Sequence, residues 1–327
     1  MMQGDLKHSA LPQHSVTSPG ITGEGDDQRC DVLVVGAGPA GLTAAIYLAR
    51  FRRDVVVIDS GRSRALRIPT THNFPGFPLG ISGLDLLQRL HQQTLQYGVQ
   101  MRSGTVESLS RTDGGFIAAA GDARLFAKRV LLATGVVDVL PPMEGVDEAT
   151  MSMKLRWCPI CDGFEVIDKK VAVLSDASDG PAHAFFLRTY TADVTLLLDG
   201  SAEQLSNETH HSLQDAGVQV VEHAVAQIRS RSGVGVSVTL RGGDVLNFDV
   251  LYPMLGSVAQ DHLGTGLGAR CSNGELVVDH HQQTSAAGIY AAGDVVKALN
   301  QMSVGVGHAA IAATAIHNSL KSTGELF

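Results

Sequence analysis

Asp31-Val32-Leu33-Val34-Val35-Gly36-Ala37-Gly38-Pro39-Ala40-Gly41 decides the fold. Its apolar run is the kind a strand buried on both faces of a parallel sheet requires. Leu42 to Leu48 continues with apolar residues at helical spacing, and Val55-Val56-Val57-Ile58 is a second apolar run ending in Asp59. Together they predict a complete βαβ unit. The three glycines of the loop serve different ends. Gly36 makes the tight turn, Gly38 admits a pyrophosphate against the backbone, and Gly41 lets the helix pack close to the strand. The helix N-terminus offers partial positive charge to phosphates, and Asp59 is placed to accept hydrogen bonds from a ribose. Strand, loop, helix and acid in this order predict dinucleotide binding.

The pattern occurs a second time in altered form. Lys170 to Leu174 reads as a strand, Ala182 to Leu187 as a helix, and Val194 to Leu198 as a second strand ending in Asp199. Aligned from the first strand, Gly36 corresponds to Ser175, Gly38 to Ala177, and only Gly41 keeps a glycine, Gly180. A methyl at Ala177 crowds the closest backbone approach, and the carboxylates of Asp176 and Asp179 would repel a diphosphate. Pro181 removes a further amide donor where free N–H groups would hold the anion. No arginine cluster follows the second strand, so nothing there awaits a ribose 2′-phosphate; if a pyridine nucleotide binds, Asp199 favours NADH over NADPH.

The pieces between and beyond these units fit one split domain. His72-Asn73-Phe74-Pro75-Gly76 reads as a loop, Leu84 to Tyr97 as a helix, and Val130 to Ala133 as a strand running into Thr134-Gly135. Near the end, Gly288 to Ala292 leads into Gly293-Asp294, and Val304 to Leu320 is an alanine-rich helix. The expected organisation is α/β with two Rossmann-like dinucleotide-binding domains, each three-layered. Residues 30–145 and 273–327 form one domain, split by residues 146–272, which form the second. Residues 1–29 are polar and aperiodic and read as a disordered leader, without the features of a secretory or transit signal.

Composition bounds the function. The chain has 327 residues, 44% hydrophobic and 18% charged, with net charge −8. That is a globular protein with a core, and its acidity argues against nucleic acid as partner. No apolar run reaches membrane-spanning length. Four cysteines do not make a disulfide framework, so a reducing cytoplasm is expected.

Two of those cysteines form Cys158-Pro159-Ile160-Cys161, followed by Asp162-Gly163. Two cysteines separated by two residues can close a small disulfide loop, and a helix start there would stabilise a thiolate. The competing assignment is half of a zinc site, which needs two further ligands; Cys30 and Cys271 are isolated and expected to be inert. His210-His211 and His280-His281 are adjacent pairs whose side chains diverge, which argues against metal binding. Trp157, the only tryptophan, reads equally as a packing residue or as a partner or flavin contact. His308 reads as a packed or solvated histidine.

Gly36 to Gly41, Asn73 to Gly76, Ala133-Thr134-Gly135, Cys158 to Gly163 and Gly293-Asp294, in this order over residues 31 to 320, resemble the low-molecular-weight thioredoxin reductase family of flavoproteins. The resemblance implies FAD in the split domain, held by Gly36, Gly38, Pro39, Ala40, Gly41, Asp59, Ser60, Asn73, Val106, Ala133, Thr134, Gly135, Gly293, Asp294, Gln301 and Met302. Asp59 would bind the adenosine ribose, Gly293-Asp294 the ribityl and pyrophosphate region, and Asn300 to Met302 would lie near the flavin ring. It implies that Cys161 exchanges electrons with the flavin, that Cys158 attacks the substrate disulfide, and that Asp162 protonates the departing thiolate. It further implies a homodimer, a domain rotation that exposes the dithiol, and a thioredoxin-like disulfide protein as partner.

The chain departs from family members that use NADPH, which carry an intact second glycine loop and an arginine-rich patch. Some similar flavoproteins are independent of pyridine nucleotides and take electrons from ferredoxin or another flavin carrier. The expectation is therefore an FAD-dependent disulfide oxidoreductase whose donor is not NADPH. Two other assignments fit the same residues: a conventional NAD(P)H-dependent thioredoxin reductase with an unusual second loop, and a flavoprotein redox sensor without efficient turnover.

Overall fold

In the computed structural model the residues described are 28–200, 204–231 and 234–321. The expected leader lies outside them except for Gln28 and Arg29, which extend the first strand alongside Leu125 and Phe126. That strand, Gln28–Val35, is followed by the helix Pro39–Arg50 and the strand Val55–Asp59. Val32 to Val35 pair in parallel with Val55 to Ile58 on one side and with Arg129 to Leu132 on the other. The strand is thus interior, and Val32, Leu33 and Val34 are fully buried; each such side chain contributes about 1.5–3 kcal/mol relative to exposure.

The resulting seven-stranded sheet runs Gln100–Ser103, Val55–Asp59, Gln28–Val35, Ala123–Leu132, Gly115–Ala120 and Ser108–Thr112. The long strand Ala123–Leu132 takes the antiparallel hairpin along its first half and the returning strand Ile289–Ala291 along its second. Residues from both ends of the chain therefore build one sheet. Alternation along Val32-Leu33-Val34-Val35 sends side chains to two cores. Val32 and Val34 meet Ala44, Ala45 and Leu48 of the first helix and Ala309, Ala312 and Ile316 of the last helix, Met302–Lys321. Leu33 and Val35 meet Phe116, Leu132 and Leu276 on the other side. Alanines on the last helix let it lie close against the first.

The second domain repeats the design with a four-stranded parallel sheet, Gln219–Val221, Val194–Leu198, Val171–Ser175 and Val250–Pro253, and adds a three-stranded antiparallel meander over Val225–Arg231, Gly235–Leu240 and Val245–Phe248. Two short strands, Val136–Asp138 and Ser257–Ala259, pair antiparallel where the chain passes out of the first sheet and back. Leu155 bridges to Leu251, so the segment leading into the dithiol is docked on the edge of the second sheet. No helix among the described residues is long and apolar enough to cross a membrane.

Candidate active site

The glycine loop shows why each position is glycine. Gly36 has φ +103°, and a Cβ there would lie 2.4 Å from the Ala133 carbonyl oxygen; at Gly41 it would lie 1.9 Å from the Gly36 oxygen. Gly38 differs, because a Cβ would meet only Ser63 Oγ at 3.4 Å. Gly38 is thus the open face of the loop, the place where a ligand can approach the backbone. Asp59 ties the loop together: Ala37 N–H donates to its Oδ1 and Gly61 N–H to its Oδ2, each at 2.8 Å.

One cavity is lined by this loop and by the dithiol together. Every residue expected to hold a cofactor lines it except Gly41, which is buried under the loop. Arg64 also lines the cavity and places Nη1 3.3 Å from Asp294 Oδ2 while its Nε and Nη2 grip Asp138 at 3.0 and 2.7 Å. Burial disfavours its charged form, yet Asp138 and Asp294 overcome this and hold Arg64 protonated. An open backbone face, a helix start and a fixed guanidinium in one cavity fit the diphosphate of FAD.

The dithiol stands where a short helix, Pro159–Asp162, begins. Cys158 caps it: the Cys161 N–H points to Cys158 Sγ at 3.1 Å, and the two sulfurs form a disulfide. Both cysteines are half-buried. From the other domain, Gln301 places Nε2 3.3 Å from each sulfur. Its orientation is fixed, because Asn73 Nδ2 donates to Gln301 Oε1 at 3.0 Å and Thr71 Oγ1 donates to Asn73 Oδ1 at 2.9 Å. With each carbonyl oxygen occupied, each amide must present its nitrogen onward.

Asp162 follows the dithiol and lines the same cavity. The hydroxyl of fully buried Tyr252 donates to its Oδ1 at 2.8 Å, and Arg156 Nη1 lies 3.1 Å from its Oδ2. Burial pushes the Asp162 carboxyl up, against the pull of Arg156 and Tyr252 toward the ionised form.

The second phosphate loop is closed on itself. Asp176 Oδ1 accepts the Asp179 N–H at 2.8 Å, the Asp176 carbonyl accepts the Gly180 N–H at 3.2 Å, and the Asp179 carbonyl accepts that of His183 at 3.4 Å. Pro181 lacks a donor, so in the first turn of the helix Gly180–Leu187 the Gly180 and His183 amides are both turned to the chain's own carbonyls. Ser175 is fully buried, with Oγ donating to the Met254 carbonyl at 2.8 Å. Ala177 packs against the second-domain core. Gly180 keeps its glycine for packing, since a Cβ would lie 2.8 Å from Leu196 Cδ1.

The remaining candidates separate clearly. Trp157 donates from Nε1 to Thr150 Oγ1 at 3.0 Å, carries Arg67 over its ring at 5.0 Å, and lines the cavity beside Cys158. Cys30 is buried, and burial pushes its thiol up to about 12. Cys271 is exposed and unpaired with sulfur. No cluster of three His, Cys, Asp or Glu suited to a metal occurs among the described residues. His308 leaves Nδ1 without a partner, and burial lowers its pKa against the influence of Asp294.

Three site residues escaped the sequence reading: Arg64, Arg156 and Tyr252. Arg64 had a signal, the Arg62, Arg64 and Arg67 cluster just past Asp59. Tyr252 had none, because Val250-Leu251-Tyr252-Pro253 reads as an apolar strand.

Residues 30–314 match the sequence model of a family described as pyridine nucleotide-disulphide oxidoreductase. The chain is 26% identical over 299 residues to the thioredoxin reductase of Listeria monocytogenes, spanning 88% of this chain and 92% of that one. Among solved structures it is similar to HlmI, with TM-score 0.83 and 31% identity over 93% of this chain and 95% of the other. It is equally similar to the thioredoxin reductase of Streptococcus pyogenes, with TM-score 0.83 and 26% identity over 91% and 100%.

Proposed function

Because the chain belongs to the pyridine nucleotide-disulphide oxidoreductase family, as a thioredoxin-reductase-like, flavin-dependent enzyme, we propose that it passes an electron pair through Cys161 and Cys158 to a thioredoxin-like protein disulfide and draws that pair from a donor other than NADPH. The bound flavin supplies the two-electron couple. The protein supplies the Gly38 face and Arg64 for the diphosphate, Gln301 to fix the sulfurs, and Asp162 to carry protons.

The observation that supports the donor assignment is the carboxylate of Asp176 on the Asp179 N–H. A diphosphate there would have to displace a negative charge from the donor it needs, and would gain no arginine fork in return. Ferredoxin or another flavin carrier, which needs no phosphate cradle, meets the remaining requirement. The reading includes a homodimer working in the cytoplasm, where thioredoxin-like partners cycle.

Anaerobic titration of the flavin-loaded protein with NADPH, NADH and reduced ferredoxin, followed by flavin absorbance, tests it. The expected result is bleaching by the protein carrier and none by either nucleotide. Rapid stoichiometric bleaching by NADPH overturns the donor assignment and makes the chain a conventional reductase.

A further inference from the structure

Asp162 is the group in the dithiol region with the most elaborate surroundings. Its carboxylate meets a partner at each oxygen: the Tyr252 hydroxyl donates a hydrogen bond to Oδ1, and Arg156 Nη1 forms an ion pair with Oδ2 at 3.1 Å, outside hydrogen-bond geometry. Tyr252 donates within reach of the Asp162 carbonyl as well, at 3.3 Å. Tyr252 is fully buried and Arg156 is 5% exposed. Burying an arginine this completely costs several kcal/mol unless an anion stands against it, and Asp162 is the anion that does so. Tyr252 belongs to the strand Val250–Pro253, and the Arg156 N–H donates to the Leu251 carbonyl at 3.0 Å in the same sheet. Both holders of the carboxylate are therefore fixed to the second domain, which also carries the dithiol.

We propose that Arg156 and Tyr252 are positioning residues for the proton carrier of the dithiol, clamping the Asp162 carboxylate to the second domain so that it accompanies the two sulfurs through the whole exchange reaction. The inference rests on the function proposed above and deepens it by saying which residues hold the proton. Each carboxylate oxygen retains a lone pair beyond its clamp, so the group can accept a proton while held.

The exchange then balances as follows. The Asp162 carboxylate takes the proton of the Cys158 thiol, and the thiolate attacks one sulfur of the partner disulfide. A mixed disulfide forms, the partner's sulfur–sulfur bond breaks, and the departing thiolate takes the proton from Asp162. The carboxylate next takes the proton of Cys161, whose thiolate attacks Cys158 Sγ. The Cys158–Cys161 bond forms, the mixed disulfide breaks, and the second partner thiolate leaves with that proton. Two electrons and two protons pass from the dithiol to the partner, and Asp162 ends as the carboxylate it was at the start.

The charged and titratable groups facing Asp162 are Arg156 and Tyr252, which favour its ionised form, and Glu165, which opposes it. Removing the Tyr252 hydroxyl withdraws a hydrogen bond made to the charged form, so Asp162 should hold its proton to higher pH. A bond of that kind is equivalent to about one pH unit.

The test uses the full-length, flavin-loaded protein with its dithiol reduced by a chemical thiol. The pH dependence of Cys158 alkylation by iodoacetamide is followed for wild type, Tyr252→Phe, Arg156→Lys and Asp162→Asn. The expected result is an inflection in the acid range that is absent in Asp162→Asn, moves up by about one unit in Tyr252→Phe, and stays near its wild-type position in Arg156→Lys, which keeps the charge. Difference infrared spectra of the Asp162 carboxyl should show the same displacement, and they remain readable if alkylation is perturbed by local packing. An inflection unmoved in Tyr252→Phe by both measurements overturns the proposal. Alkylation needs neither donor nor partner, so a displaced inflection in a protein that reduces no disulfide protein would sustain the clamp while the proposed function fails.

Discussion

Gln301 Nε2 lies 3.3 Å from Cys161 Sγ, joining the start of the last helix to a sulfur carried by the other domain. A neutral donor at a sulfur favours its thiolate. Because Asn73 fixes the amide's direction, the donor cannot turn away without losing a second bond. Gln301→Leu should raise the apparent thiol pKa of the reduced dithiol by about half a unit to one unit. Alkylation below that pKa should slow severalfold, read from rate against pH on protein matched for flavin content.

The glycine loop separates folding from ligand approach at two positions. Gly41→Ala would drive a methyl into the Gly36 carbonyl, which is backbone and cannot yield, so the loss should be about 3 kcal/mol or more by denaturant melt. Gly38→Ala meets only Ser63 Oγ at 3.4 Å. It should melt within about 1 kcal/mol of wild type as apoprotein, yet purify with markedly less flavin per chain.

Arg64 neutralises an aspartate that has little other recourse. Asp138 is 7% exposed at its side chain, and Arg67, its other cation, is 4.0 Å away. Arg64→Met should destabilise the apoprotein by about 1–3 kcal/mol, with the arginine's own 31% exposure tempering the loss. Flavin retention should fall as well, and thermal melts with and without added FAD distinguish the two effects.

Cys30 and Cys271 should differ sharply toward a thiol reagent. At pH 8 native protein should label at exposed Cys271 and not at buried Cys30, checked by peptide mass spectrometry. Cys30 also contributes a pH term. Its folded pKa is raised, from 9.0 to about 12, so its contribution to stability is complete below pH 9 and is lost progressively as pH rises toward 12. Cys30→Ala should flatten that alkaline slope.

The parts of the fold that could be read from the sequence were those whose signal is local. Val55 to Ile58 and Val194–Leu198 are apolar runs, and the structure places each strand between two parallel neighbours. The second unit begins at Val171 and its helix at Gly180, with Pro181 in the first turn, where its missing N–H costs nothing. The hairpin Ser108–Thr112 and Gly115–Ala120 was not legible, because its outer strand is mostly exposed and its inner strand ends in alanines, poor strand formers. The meander over Val225–Arg231, Gly235–Leu240 and Val245–Phe248 is built of short strands that only tertiary pairing fixes.

The site divides the same way. The damage to the second phosphate loop was visible position by position, since Ser175, Asp176, Ala177 and Pro181 could each be compared with a glycine-loop counterpart. What no local pattern could show was that Asp176 turns its carboxylate onto the loop's own amide. Tyr252 is 90 residues from Asp162 in sequence, and only the folding of the second sheet brings them together.

Asp59 grips the loop through Ala37 and Gly61, lines the cavity, and is the acid we propose for the ribose. The two duties cannot be tuned apart. An engineer who exchanges this acid to admit a different dinucleotide unfastens the buckle of the strap that is meant to hold it, so altered selectivity in this scaffold should be sought among neighbours such as Ser60 and Arg62, leaving the aspartate in place.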